Sequence, residues 1–157
     1  MRKIWLFFTS NGPKKKLLIE AYILLAWARV LKALPFSKVS STLGSRMDET
    51  SFEIDPVKIK VLKQVSHAIH IMSKYTFWES QCLIKAIACM KMLERRHIDS
   101  TIYFGTARDK NGEMIAHAWL RSGPLYLTGA AEMKGFVVVS KFAKKVRKHE
   151  LLLEEPK

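Results

Sequence analysis

The sequence predicts an α+β fold, with helices first and a small antiparallel sheet second. Three observations carry this. Apolar residues recur at helical spacing from Leu17 to about Leu93. From Ser100 the pattern changes to short strand-like runs, with Asp109-Lys110-Asn111-Gly112 as a hairpin turn. Proline and glycine punctuate these runs at Asn11-Gly12-Pro13, Pro35 and Ser122-Gly123-Pro124.

The first helix is expected over Lys14–Leu34, with Leu17, Leu18, Ala21, Leu24, Leu25, Ala28 and Leu31 on its apolar face and Pro35 stopping it. Ser37–Leu43 adds a short helical turn, and residues 44–54 read as a connector. Asp55-Pro56 is a start signal, with Asp as N-cap and Pro at the first helical position. The helix it opens, Val57–Lys74, aligns Ile59, Leu62, Val65, Ile69 and Met72. Ser80–Arg96 is the next helix, with Cys82, Ala86, Cys89 and Leu93 on one stripe. Strands are expected at Ser100–Arg108, Met114–Arg121, Leu125–Thr128 and Gly135–Phe142, and residues 143–157 read as a charged tail. The chain divides into an amino-terminal helical region (1–54) suited to docking a partner, a core (55–142) and that tail, all within one domain.

Composition narrows the class. The 157 residues are 48% hydrophobic and carry a net charge of +13, enough apolar material for a core. Residues 1–47 hold nine basic groups and one acid, Glu20. Such a surface favours acidic peptides, acidic proteins, an anionic membrane or nucleic acid, and charge alone does not choose among them. No nucleic-acid partner is expected, because Trp5, Trp27, Trp78 and Trp119 are scattered and suit core packing better than base stacking. Two cysteines seven residues apart make no disulfide framework; on one helix they stand about 10 Å apart. Free thiols fit a reducing, cytoplasmic setting. Met1–Thr9 is too short for a signal sequence, and Glu20, Arg29 and Lys32 argue against a membrane span in Leu17–Phe36, while surface association stays open. His67 and His70 lack any accompanying metal motif, so neither metal nor cofactor is expected.

Cys82 and His117 carry the chemistry. Cys82 follows the polar Glu79-Ser80-Gln81 at the start of a helix, with Glu79 or Ser80 as the cap. There the free N–H groups and the helix dipole favour a thiolate, the nucleophilic form. The same N–H groups suit an oxyanion, and the Gln81 side chain could add a donor. His117, on a strand, would take the thiol proton and return it to a leaving amine. Pairing Asp109 with Glu113 across the hairpin puts Gly105 opposite His117, leaving room beside an inward imidazole. Cys89, flanked by apolar residues in mid-helix, reads as packing, and a strand histidine between alanines also fits a satisfied core residue.

These segments resemble a known family. Trp78-Glu79-Ser80-Gln81-Cys82-Leu83, Arg95-Arg96-His97-Ile98, the strand with Gly105 and Ala116-His117-Ala118-Trp119 look like the leader peptidases of lasso-peptide biosynthesis, a transglutaminase-like group of cysteine proteases. Glu20-Ala21, Leu34-Pro35-Phe36 and Leu43-Gly44 extend the likeness from about Lys16 to Phe142. The resemblance implies a papain- or transglutaminase-like core in which the nucleophile-bearing helix packs on the sheet. It implies removal of a leader from a ribosomally made precursor. It also implies the split form of such systems, with a separate small leader-binding protein and an asparagine-synthetase-like cyclase as partners.

One departure stands out. A Cys-His-Asp triad would place an aspartate on the strand after His117, and pairing across Ser122-Gly123 puts Thr128 or Gly129 there, with no carboxylate in Leu127–Ala130. The third member is left among Thr128, a backbone carbonyl, Glu132 and nothing at all. Two other function classes stay open: a Cys-His acyl or amide transferase, and a basic adaptor for an acidic protein, RNA or a membrane, with Cys82 merely packed.

Overall fold

The computed structural model describes residues 12–77 and 81–146. The expected readings of Met1–Thr9, of Glu79 and Ser80 as caps, and of the tail beyond residue 146 lie outside them. Helix α1 spans Gly12–Lys32 and buries Ala21, Leu24, Leu25 and Ala28, the stripe that the spacing predicts. A short helix, α2, covers Phe36–Ser40. α3 runs Pro56–Ser73 behind an Asp55 cap whose carboxylate accepts from the Val57 N–H at 3.0 Å. α4 covers Cys82–Glu94 and is apolar nearly all round, because it packs against α1, α3 and the sheet at once.

The sheet packs on the helical layer, and all its strands but the first follow the period change at Ser100. β1 is Ser45–Arg46, β2 Ser100–Arg108, β3 Met114–Ser122, β4 Leu125–Thr128 and β5 Val137–Lys144. Their spatial order is β1-β5-β2-β3-β4, and every pairing is antiparallel. β1 falls inside the expected connector; two residues carry too little periodicity to be seen in sequence. β5 runs to Lys144, so the tail starts later than residue 143.

Alternation along the strands divides the sheet into two faces. Ile102, Leu120, Leu127 and Phe142 join Leu25, Ile69, Ile84 and Leu93 in one core against the helices. The opposite face carries Tyr103, His117, Trp119 and Arg121, and the segment 49–52 covers part of it. Arg121, wholly buried, holds that segment down: it donates to Tyr103 Oη, to the carbonyls of Thr50, Ser51 and Gly123, and to Glu49. The Phe52 ring lies 3.7 Å from its guanidinium carbon. No helix among the described residues is long and apolar enough to cross a membrane.

Candidate active site

α4 begins at Cys82, with Gln81 in extended backbone (φ −65°, ψ 166°) as its N-cap. The cap is therefore one or two residues later than expected. Cys82 is half-buried in the first turn, where N–H groups lack intrahelical carbonyls. Cys89, two turns on, is fully buried, and loss of solvent pushes its thiol up to about 12. The two cysteines thus occupy opposite chemical settings on one helix.

His117 sits on β3 opposite Gly105, the register that the hairpin turn predicts. The space beside Gly105 is occupied by aromatic carbon: a Cβ there would come within 2.8 Å of the Trp119 ring and 2.9 Å of Phe136 Cβ. Those two side chains frame the imidazole. Trp119 stacks on it at 5.7 Å between centroids, and Phe136 lies tilted at 5.1 Å. The His117 side chain is 10% exposed.

The third position is filled by the backbone. His117 Nε2 lies 2.9 Å from the Gly129 carbonyl oxygen, which can only accept, so Nε2 carries the hydrogen. Nδ1 has no partner among the described residues and is the nitrogen left to act as a base. The expected register across β4 needs correcting. The turn centres on Gly123-Pro124, pairing Ser122 with Leu125, and a bulge then sets Thr128 opposite Leu120 rather than His117. The Thr128 hydroxyl is buried with no partner among the described residues, so it does not orient the ring. Gly129, at φ +68°, curls its carbonyl back to His117; a Cβ there would lie 2.8 Å from Nε2. Glu132 arrives on the following loop, its carboxylate 3.8 Å from Nε2 and 64% exposed.

The structure gathers His117, Gly129 and Glu132, and no hydrogen bond among the described residues joins them to Cys82. α4 lies on the Leu120 face of the sheet, whereas His117 shares the other face with Trp119. The expected register, with Gly105 opposite His117, is the one observed, and the imidazole lies on the Trp119 face of the sheet. The reason is local: in Ala116-His117-Ala118-Trp119-Leu120, Leu120 claims the helical core and alternation sends His117 the other way. Gln81 caps α4 through its backbone carbonyl, which accepts from the Lys85 N–H at 3.1 Å, and makes no side-chain cap bond. His70 turns its Nδ1 to the Ser66 carbonyl at 2.7 Å, within its own helix.

Two structural residues escaped the sequence reading. Arg121 looks like an ordinary surface cation on a strand, and only the register shows it buried against Glu49 and Tyr103. Glu20 bridges from α1 to Arg96 at 2.6 Å and Arg95 at 3.1 Å, tying the first helix to the end of α4.

Against this background the comparison with protein families is decisive. Residues 21–141, most of the 157-residue chain, match the family described as the transglutaminase-like superfamily. The chain belongs to that superfamily. No curated protein and no solved structure matches it. The superfamily comprises cysteine proteases and transferases, and the helical layer on a five-stranded antiparallel sheet agrees with its α+β core. The matched span includes the helix-terminal Cys82, His117 and the Gly129 carbonyl.

Proposed function

We propose that this protein of the transglutaminase-like superfamily is a cysteine peptidase that removes the leader from a ribosomally made lasso-peptide precursor in the cytoplasm. The observation that carries the reading is the state of His117: Nε2 tied to a carbonyl, Nδ1 unclaimed, in a superfamily chain with a thiol at a helix start. In this reading Nδ1 takes the Cys82 proton and the thiolate attacks the scissile carbonyl. The oxyanion rests on N–H groups of the α4 start, helped by Gln81. The imidazolium then protonates the leaving amine, and water hydrolyses the acyl-enzyme. No cofactor is needed for these steps. Glu132 would steady the imidazolium electrostatically.

The partner would be a small leader-binding protein, with an asparagine-synthetase-like cyclase acting on the released core. Its docking place would be α1, where Ile19, Ile23 and Val30, with Leu34 just past the helix end, form an exposed apolar stripe (43%, 59%, 66% and 42%) beside Arg29 and Lys32.

A second reading has its own support. No hydrogen bond among the described residues joins the half-buried Cys82 to His117, which favours a binding protein in which Cys82 is packing. Incubation with the precursor and leader-binding protein decides. The peptidase reading expects cleavage that Cys82→Ala and His117→Ala abolish and Cys89→Ala retains, with all three variants folded by circular dichroism. Wild-type cleavage by Cys82→Ala would overturn the mechanism, and an aminolysis product in place of hydrolysis would make the enzyme a transferase.

A further inference from the structure

Away from the thiol, the starts of α1 and α3 enclose a basic groove. One cavity, of about 480 Å³, lies among Lys16 and Leu17 of α1, Lys58 and Val61 of α3, and Arg96 and Ile98 beyond α4. A second, of about 770 Å³, continues past Ile59, Lys60 and Lys63 to Lys14, and Gln64 lines both. Among the described residues the only carboxylate lining them is Glu20, and Arg95 and Arg96 already hold it. No carboxylate among the described residues pairs with Lys14, Lys16, Lys58, Lys60 or Lys63. The rim is therefore a set of uncompensated cations, while Leu17, Val61 and Ile98 give an apolar floor.

We propose that this groove binds an acidic, amphipathic segment of the peptide substrate, carboxylates on the lysine rim and apolar side chains on the floor. The proposal rests on the peptide-processing reading above and gives it a recognition site. Charge complementarity selects an acidic occupant. Among the described residues no Phe, Tyr or Trp lines the groove and His67 is its one ring, a poor base-stacking platform for a nucleic acid. The groove opens beyond the carboxyl end of α4, and Cys82 is at its other end. Thirteen helical residues separate them by about 20 Å. An extended chain needs about six residues to cover that distance. The acidic segment must then lie at least that far from the scissile bond.

The test uses the full chain and a fluorescein-labelled synthetic peptide of interspersed Glu and Leu, read by anisotropy. Its counterpart with Gln for Glu and a single-stranded oligonucleotide serve as competitors. Lys60→Glu/Lys63→Glu should raise Kd about tenfold or more. Lys110→Glu/Lys134→Glu, the same charge change in loops of the sheet, should raise it less than about twofold. Equal effects of the two variants, equal binding of the Gln peptide, or stronger competition by the oligonucleotide would overturn the proposal. Groove-dependent binding without cleavage by any form would end the peptidase reading and leave the groove standing. Precursor cleavage with KM unchanged in Lys60→Glu/Lys63→Glu would do the reverse.

Discussion

The Gly129 carbonyl accepts the Nε2–H of His117 at 2.9 Å, and this bond stands where a triad would have a carboxylate. A neutral oxygen fixes ring and tautomer without the full electrostatic help that a carboxylate gives an imidazolium. Glu132, 3.8 Å away and well exposed, adds a solvent-screened charge.

Gly129→Ala should therefore lower kcat/KM for precursor cleavage about tenfold to a hundredfold. Its Cβ would meet Nε2 at 2.8 Å and the Ala118 carbonyl at 2.7 Å, at a φ of +68° that suits glycine. Glu132→Gln should cost only a few-fold. Thr128→Val should leave activity intact and raise stability by up to about 1 kcal/mol, since it removes a buried hydroxyl without a partner. Wild-type kinetics in Gly129→Ala would separate this carbonyl from the chemistry.

Mass spectrometry after brief iodoacetamide treatment at neutral pH should show one adduct on the folded chain, at Cys82, and two after denaturation. Cys89 is without solvent contact and its thiol is pushed up to about 12 by burial. His117→Ala should slow the Cys82 reaction several-fold if the imidazole reaches the thiol. An unchanged rate would show that the two groups do not act as a pair.

The sequence made the periodic parts legible and left the contextual parts hidden. β2 and β4 carry their expected bounds, and the three long helices shift by one or two residues at each end, because apolar period and caps are local properties. The hairpin turn fixed Gly105 opposite His117 for the same reason. Which face the imidazole occupies depends on which neighbour claims the core, and Leu120 does so only once α4 is in place. The β4 register failed on a bulge that no residue type announces. Arg121 was invisible because its partners lie about 70 residues upstream, at Glu49–Ser51.

Arg121→Met should destabilise the fold by about 3–5 kcal/mol in urea unfolding. It leaves the Thr50, Ser51 and Gly123 carbonyls without their donor and takes one of three donors from Glu49, which keeps Lys141 and Tyr103. Arg121→Lys should recover only part of this loss, because an ammonium cannot reproduce the five-donor fork. A wild-type midpoint in Arg121→Met would mean that the 49–52 segment is held by the Thr50–Thr101 hydrogen bonds and by the bonds of Glu49 to Lys141 and Tyr103.

Stability should fall at both ends of the pH scale, through one network. The Lys141 ammonium, 2.8 Å from Glu49, and the Tyr103 hydroxyl hold the Glu49 carboxyl below its ordinary 4.5. Lys145 does the same for Asp48. The Glu94 carboxyl is raised by partial burial, but Lys91 and Lys144 outweigh this and lower it. A depressed carboxyl means that the unfolded chain binds protons first as pH drops, so this contribution is present above about 4.5 and is lost below it. Tyr103 works at the other end. Burial first, and the Glu49 bond second, push its hydroxyl from 10 up to about 12. The unfolded chain then releases that proton first, so stability is lost as pH rises from about 10 towards 12. Urea midpoints measured from pH 3 to 11 should therefore form a plateau with two falling limbs. Glu49→Gln should flatten the acid limb and lower the plateau by about 1 kcal/mol, and Tyr103→Phe should remove most of the alkaline limb. An acid limb of unchanged slope in Glu49→Gln would assign acid sensitivity to Asp48 and Glu94 instead.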